Sequence, residues 1–443
     1  MYRDHVTIYL NFCYFTFGFV FSFPALSVQF ILTDVLHVSP VSMAFAYAIV
    51  SIPWCLKPLY GFFSDRYSMF DWGNRRPYIS YSGLFASYIY MSLSSQVGNE
   101  YTLVGMLTLA SLFVCIADVC ADSITVELVK DEMDIGVLQS NNWISRGLGT
   151  LFGALFGGMG YQYLGYDAVF TITSAMPFLM SILIWKLPKS KKRVPFSMSS
   201  LYNNFSEERE LGLLLFFITA APSYGTFYTY FLRDELKYSA LDFTWLSMGS
   251  SLSFLFGVVS YRVYFRRLGY KRVLRGAVLV ATVCRITQLF VLLKIFTNFW
   301  VVVLDGVAES FCGQLLMMPL IVYTADRCNE GVEGTLFALM MSISNISNSL
   351  SEGMGAAVAA LFGVTENNFS NLFYVMLICI LLDFLIPMWA IKKMFFVSSE
   401  REIDLEELTM IELDFDRVDQ VDRDDLDDLD DLDDFARVDR VEL

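Results

Sequence analysis

Gly61-Phe62-Phe63-Ser64-Asp65-Arg66, followed by Gly73 and Arg75-Arg76, returns as Gly257-Val258-Val259-Ser260-Tyr261-Arg262, followed by Gly269 and Lys271-Arg272. The two stretches align over sixteen positions at a constant offset of 196 residues, without a gap. A second match, Asp131-x4-Gly136-Val137 with Asp326-x4-Gly331-Val332, has an offset of 195. Repeat arrays of soluble proteins have periods of about 20–50 residues. Here the period is close to half the chain. Two homologous halves follow one another.

Each half is dominated by apolar runs of membrane-spanning length. A bilayer core about 30 Å thick needs roughly 20 apolar residues per helix. That ruler gives spans at 7–31, 40–64, 77–96, 101–128, 138–163 and 167–187, then at 210–232, 240–264, 271–294, 298–325, 334–362 and 370–396. The expected fold is an all-α membrane protein, twelve transmembrane helices in two pseudo-symmetric six-helix bundles. Its expected parts are a first bundle at 1–187, a cytoplasmic central loop at 188–209, a second bundle at 210–396 and an acidic disordered tail at 397–443. The first apolar run is too long for a signal peptide and reads as a retained span.

Composition agrees. The chain is 55% apolar and only 17% charged, against about 25% charged in soluble domains. The net charge of −15 belongs entirely to the tail, where residues 398–443 hold 20 acidic and 5 basic residues. The body is neutral, so no nucleic-acid partner is expected. Two histidines and no CxxC pair leave neither a metal site, a disulfide framework nor a Ser–His nucleophile. Lys and Arg concentrate in the even loops and after the last span, which predicts cytoplasmic termini. Two related halves joined by a polar loop suggest a transporter whose substrate site lies between them near the midplane.

The run Lys57-Pro58-Leu59-Tyr60-Gly61-Phe62-Phe63-Ser64-Asp65, then Gly73-Asn74-Arg75-Arg76-Pro77-Tyr78, resembles the signature of the folate–biopterin transporter family within the major facilitator superfamily. Ala117-Asp118 through Asp122 to Glu127, with Gly136-Val137-Leu138-Gln139-Ser140 and Trp143 to Gly147, adds to the likeness. So does Gly331-Val332-Glu333-Gly334-Thr335-Leu336-Phe337-Ala338, with Ser342, Ser344 and Asn345 behind it. The likeness spans roughly 10–395. It implies the major facilitator fold and symport of folate or a pterin, without cofactor or enzymatic step. It departs where Tyr261 stands opposite Asp65, which makes any charge gate asymmetric.

Ionisable side chains inside spans are costly and mark function by default. Asp118 and Asp122 are spaced i, i+4 on one face of the fourth span, with Arg146 of the fifth at similar depth. They form either a structural ion network or a substrate and proton site. Asp305 and Glu309 repeat the spacing in the tenth span, with Arg285 of the ninth as counter-charge. Lys57, between Pro53 and Pro58, meets either a substrate carboxylate or Asp118 and Asp122. Glu352 and Asp383 are expected in packing roles on peripheral helices. Tyr224 and Tyr228 offer aromatic faces to a flat heterocycle, although such residues on this helix and on the first more often pack or face lipid. Gln29 and Gln314 are candidate ligand donors or acceptors. Gly61, Asp65, Arg66, Arg75 and Arg76 form a gating turn, or else a static helix-end ion pair.

The resulting expectation is a monomeric secondary transporter of the plasma membrane, moving folate or biopterin by alternating access. A carboxylate serves as proton carrier, since histidine is nearly absent. Two alternatives stay open: a carrier of another small metabolite such as S-adenosylmethionine, and a sensor that binds without transport.

Overall fold

Helices form where the sequence is apolar for several turns, and some of them break at proline, glycine or polar residues. A computed structural model describes residues 2–38, 40–67, 75–95, 97–130, 135–187, 197–329, 331–365 and 368–393. In the first half lie α1 (Tyr2–Ser22), α2 (Ala25–Phe30), α3 (Pro40–Cys55), α4 (Lys57–Arg66), α5 (Arg76–Ser95), α6 (Glu100–Lys130) and α7 (Ile135–Leu183). In the second lie α8 (Met198–Glu207), α9 (Arg209–Thr219), α10 (Gly225–Asp234), α11 (Ala240–Val263), α12 (Tyr270–Leu292), α13 (Phe299–Asp326), α14 (Glu333–Leu361) and α15 (Leu372–Lys393). No extended strand occurs among the described residues. The expected acidic tail at 397–443, residues 188–196 of the expected central loop, and Asp131 of the second repeat match lie outside the described residues.

The helices fall on the twelve expected spans. The first span is α1 with α2, interrupted before Pro24. The second is divided at Leu56, three residues after Pro53, into α3 and α4. The fifth and sixth are the two helical segments of α7, broken from one another at Gly165. That residue has φ of 80°, a left-handed conformation that a side chain disfavours. The seventh is divided at 220–224, around Pro222, into α9 and α10. Polar residues begin several spans: Asn99 and Asn298 accept from Thr102 and Trp300 backbone N–H groups, and Ser239 with Asp242 closes a capping box on α11. One expectation is corrected. The interval 188–209 is not wholly a loop, because Ser197 caps the amphipathic α8 within it.

Residues Met1–Ala390 form one compact unit, and Ile391–Leu443 a second, of which 391–393 are described. Within the first unit, α1 packs along α7, while α5 lies on α6 and α7, and α3 on α6. In the second half α11 and α12 flank α13, and α14 lies on α9. The halves meet chiefly through two pairs, α4 with α14 and α7 with α11, with further contact of α14 to α3 and α6 and of α13 to α6 and α7. Those pairs join the second span to the eleventh and the fifth to the eighth. The repeat exchanges second with eighth and fifth with eleventh, so it maps each pair onto the other. Large side chains such as Phe85, Tyr88, Phe256 and Leu304 stay exposed on the outer surface, as lipid contact allows.

Gly61 and Gly334 let the α4–α14 pair close to backbone contact. A Cβ at Gly61 would stand 2.5 Å from the Gly334 carbonyl oxygen and 2.8 Å from the Thr335 Cα. Backbone cannot swing aside as a side-chain tip can. Gly61→Ala is therefore expected to cost about 1–3 kcal/mol, the usual range for overpacking. Gly105→Ala, where a Cβ meets nothing within 4 Å, should be neutral or mildly stabilising. Thermal unfolding of both variants in detergent checks this, and equal midpoints would contradict the close approach.

Candidate functional site

The i, i+4 spacing on α6 does stack Asp118 above Asp122, and three other helices supply their partners. The break at Leu56 makes Lys57 the first residue of α4. Its Nζ lies 2.6 Å from Asp118 Oδ2 and 4.0 Å from Asp122 Oδ2. Arg146 Nη1, from α7, donates to Asp118 Oδ1 at 2.9 Å. Each oxygen of the fully buried Asp118 thus receives one cation. Asp122 takes a 2.5 Å hydrogen bond from the Tyr14 hydroxyl of α1. The Trp54 ring lies 4.8 Å from Lys57 Nζ and 5.6 Å from the Arg146 guanidinium, while its Nε1 donates to Ser111. Two cations and two carboxylates balance here, and Lys57 is engaged by Asp118.

A second cluster joins the halves at the Gly61 end. Arg75 lies 2.8 Å from Asp65, 2.9 Å from Glu127 and 3.7 Å from Glu333. Asp65 also accepts from the Thr335 backbone N–H and hydroxyl, both at 2.6 Å, and from the Gly334 N–H at 3.3 Å. A carboxylate at the first turn of α14 is well placed, since the free N–H groups of a helix start favour negative charge. Of the five residues expected in the gating turn, Gly61, Asp65 and Arg75 meet at this interface. Arg66 does not: it is exposed, over the Tyr67 ring. Arg76 instead donates to the Leu187 carbonyl at 2.5 Å, a bond inside the first half. Tyr261, the repeat counterpart of Asp65, is buried among Val258, Val273 and Met318 of its own half.

The third feature is a cavity of about 720 Å³ in the second half, bordered by α9, α10, α11, α12, α13, α14 and α15. Arg285 donates to Glu309 at 3.1 Å and also pairs with Asp383. Gln288, one turn beyond Arg285, donates to Glu309 at 3.2 Å and accepts from the Tyr224 hydroxyl at 2.7 Å. Asp305 accepts from Thr287 at 2.5 Å rather than from Arg285. Tyr228 and Gln314 line the same space, whereas Gln29 lies outside it, exposed on α2. The expectation of packing roles for Glu352 and Asp383 needs correction. Both line the cavity, Glu352 from α14, which packs on α4 of the other half, and Asp383 from α15, where it pairs with Arg285. Every lining residue of this cavity comes from the second half, so its wall is not shared as the sequence suggested. Several partners were not singled out in the sequence: Trp54, Tyr14 as a carboxylate ligand, and Gln288. For Gln288 a signal existed, its i+3 spacing from Arg285.

Comparison with known proteins agrees with this architecture. A model of the BT1 family matches residues 18–409. A folate-biopterin transporter of Synechocystis is 28% identical, over 81% of this chain and 76% of that relative. A probable folate-biopterin transporter 4 of Arabidopsis thaliana is 26% identical, over 81% and 89%. Folate transporter 1 of Plasmodium falciparum is 22% identical, over 82% and 74%. Among solved structures, an outward-facing bacterial homologue of the iron transporter ferroportin superposes with a TM-score of 0.65 at 15% identity, covering 88% of this chain and 99% of that one. The human organic anion transporter MFSD10 gives 0.63 at 14%, covering 86% and 99%. At these identities the structures speak for the fold, which is that of the major facilitator transporters.

The first cluster has a thermodynamic consequence. Asp118→Ala would leave Lys57 and Arg146 without their shared carboxylate inside the protein, a loss worth about 3–5 kcal/mol. Asp122→Asn keeps an oxygen for the Tyr14 hydroxyl and should cost far less. Unfolding midpoints in detergent should fall steeply for the first and slightly for the second. Equal tolerance of both would remove Asp118 from the centre of the network.

Proposed function

The chain belongs to the BT1 family, and from that membership we propose that this membrane transporter carries folate or a pterin by alternating access, coupled to protons. It is not an enzyme, as its family and relatives are transporters. The observation that carries the reading is the second-half cavity, where tyrosine faces and carboxylates converge around a space of about 720 Å³. Small-molecule sites are usually apolar clefts of about 300–1,000 Å³ with a few converging polar groups. A pterin ring presents an amino group and a neighbouring N–H, which one carboxylate accepts together.

The Asp65–Arg75 cluster supplies the conformational side. Its bonds cross from α4 to α14, so a rocking of one half against the other must break them. In this reading the basic even loops face the cytoplasm, and the latched end is therefore the cytoplasmic end. Both termini lie on that side, the chain resides in the plasma membrane, and it works as a monomer. Arg75 faces three carboxylates within 4 Å, Asp65 and Glu127 of its own half and Glu333 of the other.

Purified protein in proteoliposomes should accumulate labelled folate or biopterin, faster with an acidic exterior than with equal pH. Transport of S-adenosylmethionine alone from the same panel would overturn the substrate. Accumulation indifferent to the pH gradient would overturn the coupling, and binding without counterflow would make the chain a sensor.

A further inference from the structure

Between the two halves, α8 presents three faces of three kinds. Ser200 and Asn204, one turn apart, share the first, where Asn204 is buried and Ser200 half-buried. Met198, Tyr202 and Phe205, spaced i, i+4 and i+7, form the second, and they are 56%, 72% and 38% exposed. Leu201 lies half-buried at its edge. Ser199, Asn203 and Ser206 form the third, polar and exposed. At about 100° per residue these faces stand roughly 120° apart. The first rests on protein, since α8 packs on α9 and α14. Glu208, directly behind the helix, pairs with Arg327 at the end of α13, 3.5 Å away. The third face suits water. The apolar second face has no protein against it, and water is a poor neighbour for it.

Chain length restricts what can cover that face. The seventh span begins with α9 at Arg209, two residues after α8 ends at Glu207. The helix is ten residues long, so none of it stands more than about 15 Å from the mouth of that span. Charge narrows the choice further. Residues 186–210 hold six cations and three acids, and Lys186 and Arg209, at the two junctions with the spans, are exposed. An apolar stripe beside excess positive charge complements an anionic lipid leaflet. We infer that α8 lies in the plane of the membrane surface, its Met198–Tyr202–Phe205 stripe in the headgroup–acyl boundary, and binds anionic lipid in preference to zwitterionic lipid. Tyrosine suits that depth, with an apolar ring and a wet hydroxyl. Lipid thereby gains a hold on the contact between the halves, because α8 touches α14, whose first turn holds Thr335 against Asp65.

Cysteine labelling of the full-length protein, in lipid nanodiscs that hold one copy each, tests this. Met198→Cys and Phe205→Cys place a thiol on the stripe; Ser199→Cys and Asn203→Cys place one on the polar face. Each is alkylated with a charged maleimide that does not cross membranes. The unsubstituted protein supplies the background, six of its eight cysteines being buried. Both polar-face thiols should react fast in any lipid. Both stripe thiols should react roughly tenfold or more slowly, because the reactive thiolate forms in water and not among acyl chains. Replacing part of the phosphatidylcholine by phosphatidylserine should slow them further, and about 1 M salt should erase that difference. With two variants per face, the comparison survives the misfolding of one. Equal rates on the two faces overturn the inference, and so does slow labelling that ignores lipid charge. Stripe thiols that become reactive once residues 397–443 are removed would make the tail the occupant. Protection seen only in discs holding two copies would make it a second copy. Either result overturns the lipid assignment.

Discussion

An ionised side chain inside a lipid-embedded bundle must find its counter-charge within the protein, because acyl chains offer neither water nor hydrogen bonds. Asp118 meets that demand twice over, with Lys57 on one oxygen and Arg146 on the other. The consequence is architectural. Those two bonds tie the fourth span to the second and the fifth, and Asp122, one turn along α6, ties it to the first through Tyr14. A single turn of one helix thereby fixes four spans. Attraction between opposite charges grows as the local dielectric falls, and so does the penalty for breaking a pair. Around Asp118 the charges of the first half are thereby neutralised internally.

The second half inherited the same plan and uses it differently. Gly61 lets α4 touch α14 of the other half, while its counterpart Gly257 lets α11 touch Gln314 and Phe311 of its own. Asp65 reaches across to Thr335, while Tyr261 is buried at home. Asp118 and Asp122 are matched by Lys57 and Arg146, whereas Asp305 and Glu309 share with Asp383 and Glu352 a cavity containing Arg285. Pseudo-symmetry of backbone thus coexists with asymmetry of charge. The Asp118 cluster balances its charges, whereas the second-half cavity sets four carboxylates around Arg285.

Much of this was legible in the sequence because the signals were local or periodic. Span lengths, the 196-residue repeat and the i, i+4 pairing of acids all depend on spacing along one chain. The candidate pairs Lys57 with Asp118 and Arg285 with Glu309 could be named, since few cations lie at membrane depth. Other features depend on rotation of helices about their axes, which spacing does not encode. Nothing in the run of first-helix aromatics sets Tyr14 apart as the ligand of Asp122. Arg66, Arg75 and Arg76 look alike in sequence, yet only Arg75 turns toward Glu127 and Glu333. The inward position of Asp383 and Glu352 is hidden in the sequence, because helix order alone does not reveal which face of α14 or α15 looks inward.

The latch and the cavity share a helix, and that gives a physical route between them. Glu333 and Thr335 sit in the first turn of α14, and Glu352 faces the cavity from the same helix, about 28 Å further along at 1.5 Å per residue. One residue before Glu352, Ser351 holds the broken stretch between α9 and α10: its hydroxyl donates to the Ala221 carbonyl at 2.5 Å, and its carbonyl accepts from the Ser223 N–H at 3.1 Å. A helix of this length transmits axial displacement with little loss, since its hydrogen bonds run along the axis. Movement of α14 that frees Asp65 from Thr335 must therefore shift Glu352 and the Pro222 break, which carries Tyr224 and Tyr228. Conversely, a ligand that draws these tyrosines together biases the position of α14. Coupling of this kind requires an element with two arrangements whose balance both sites affect. In the proposed alternating access α14 would be that element, because it contributes residues to both clusters and lies at the interface between the halves.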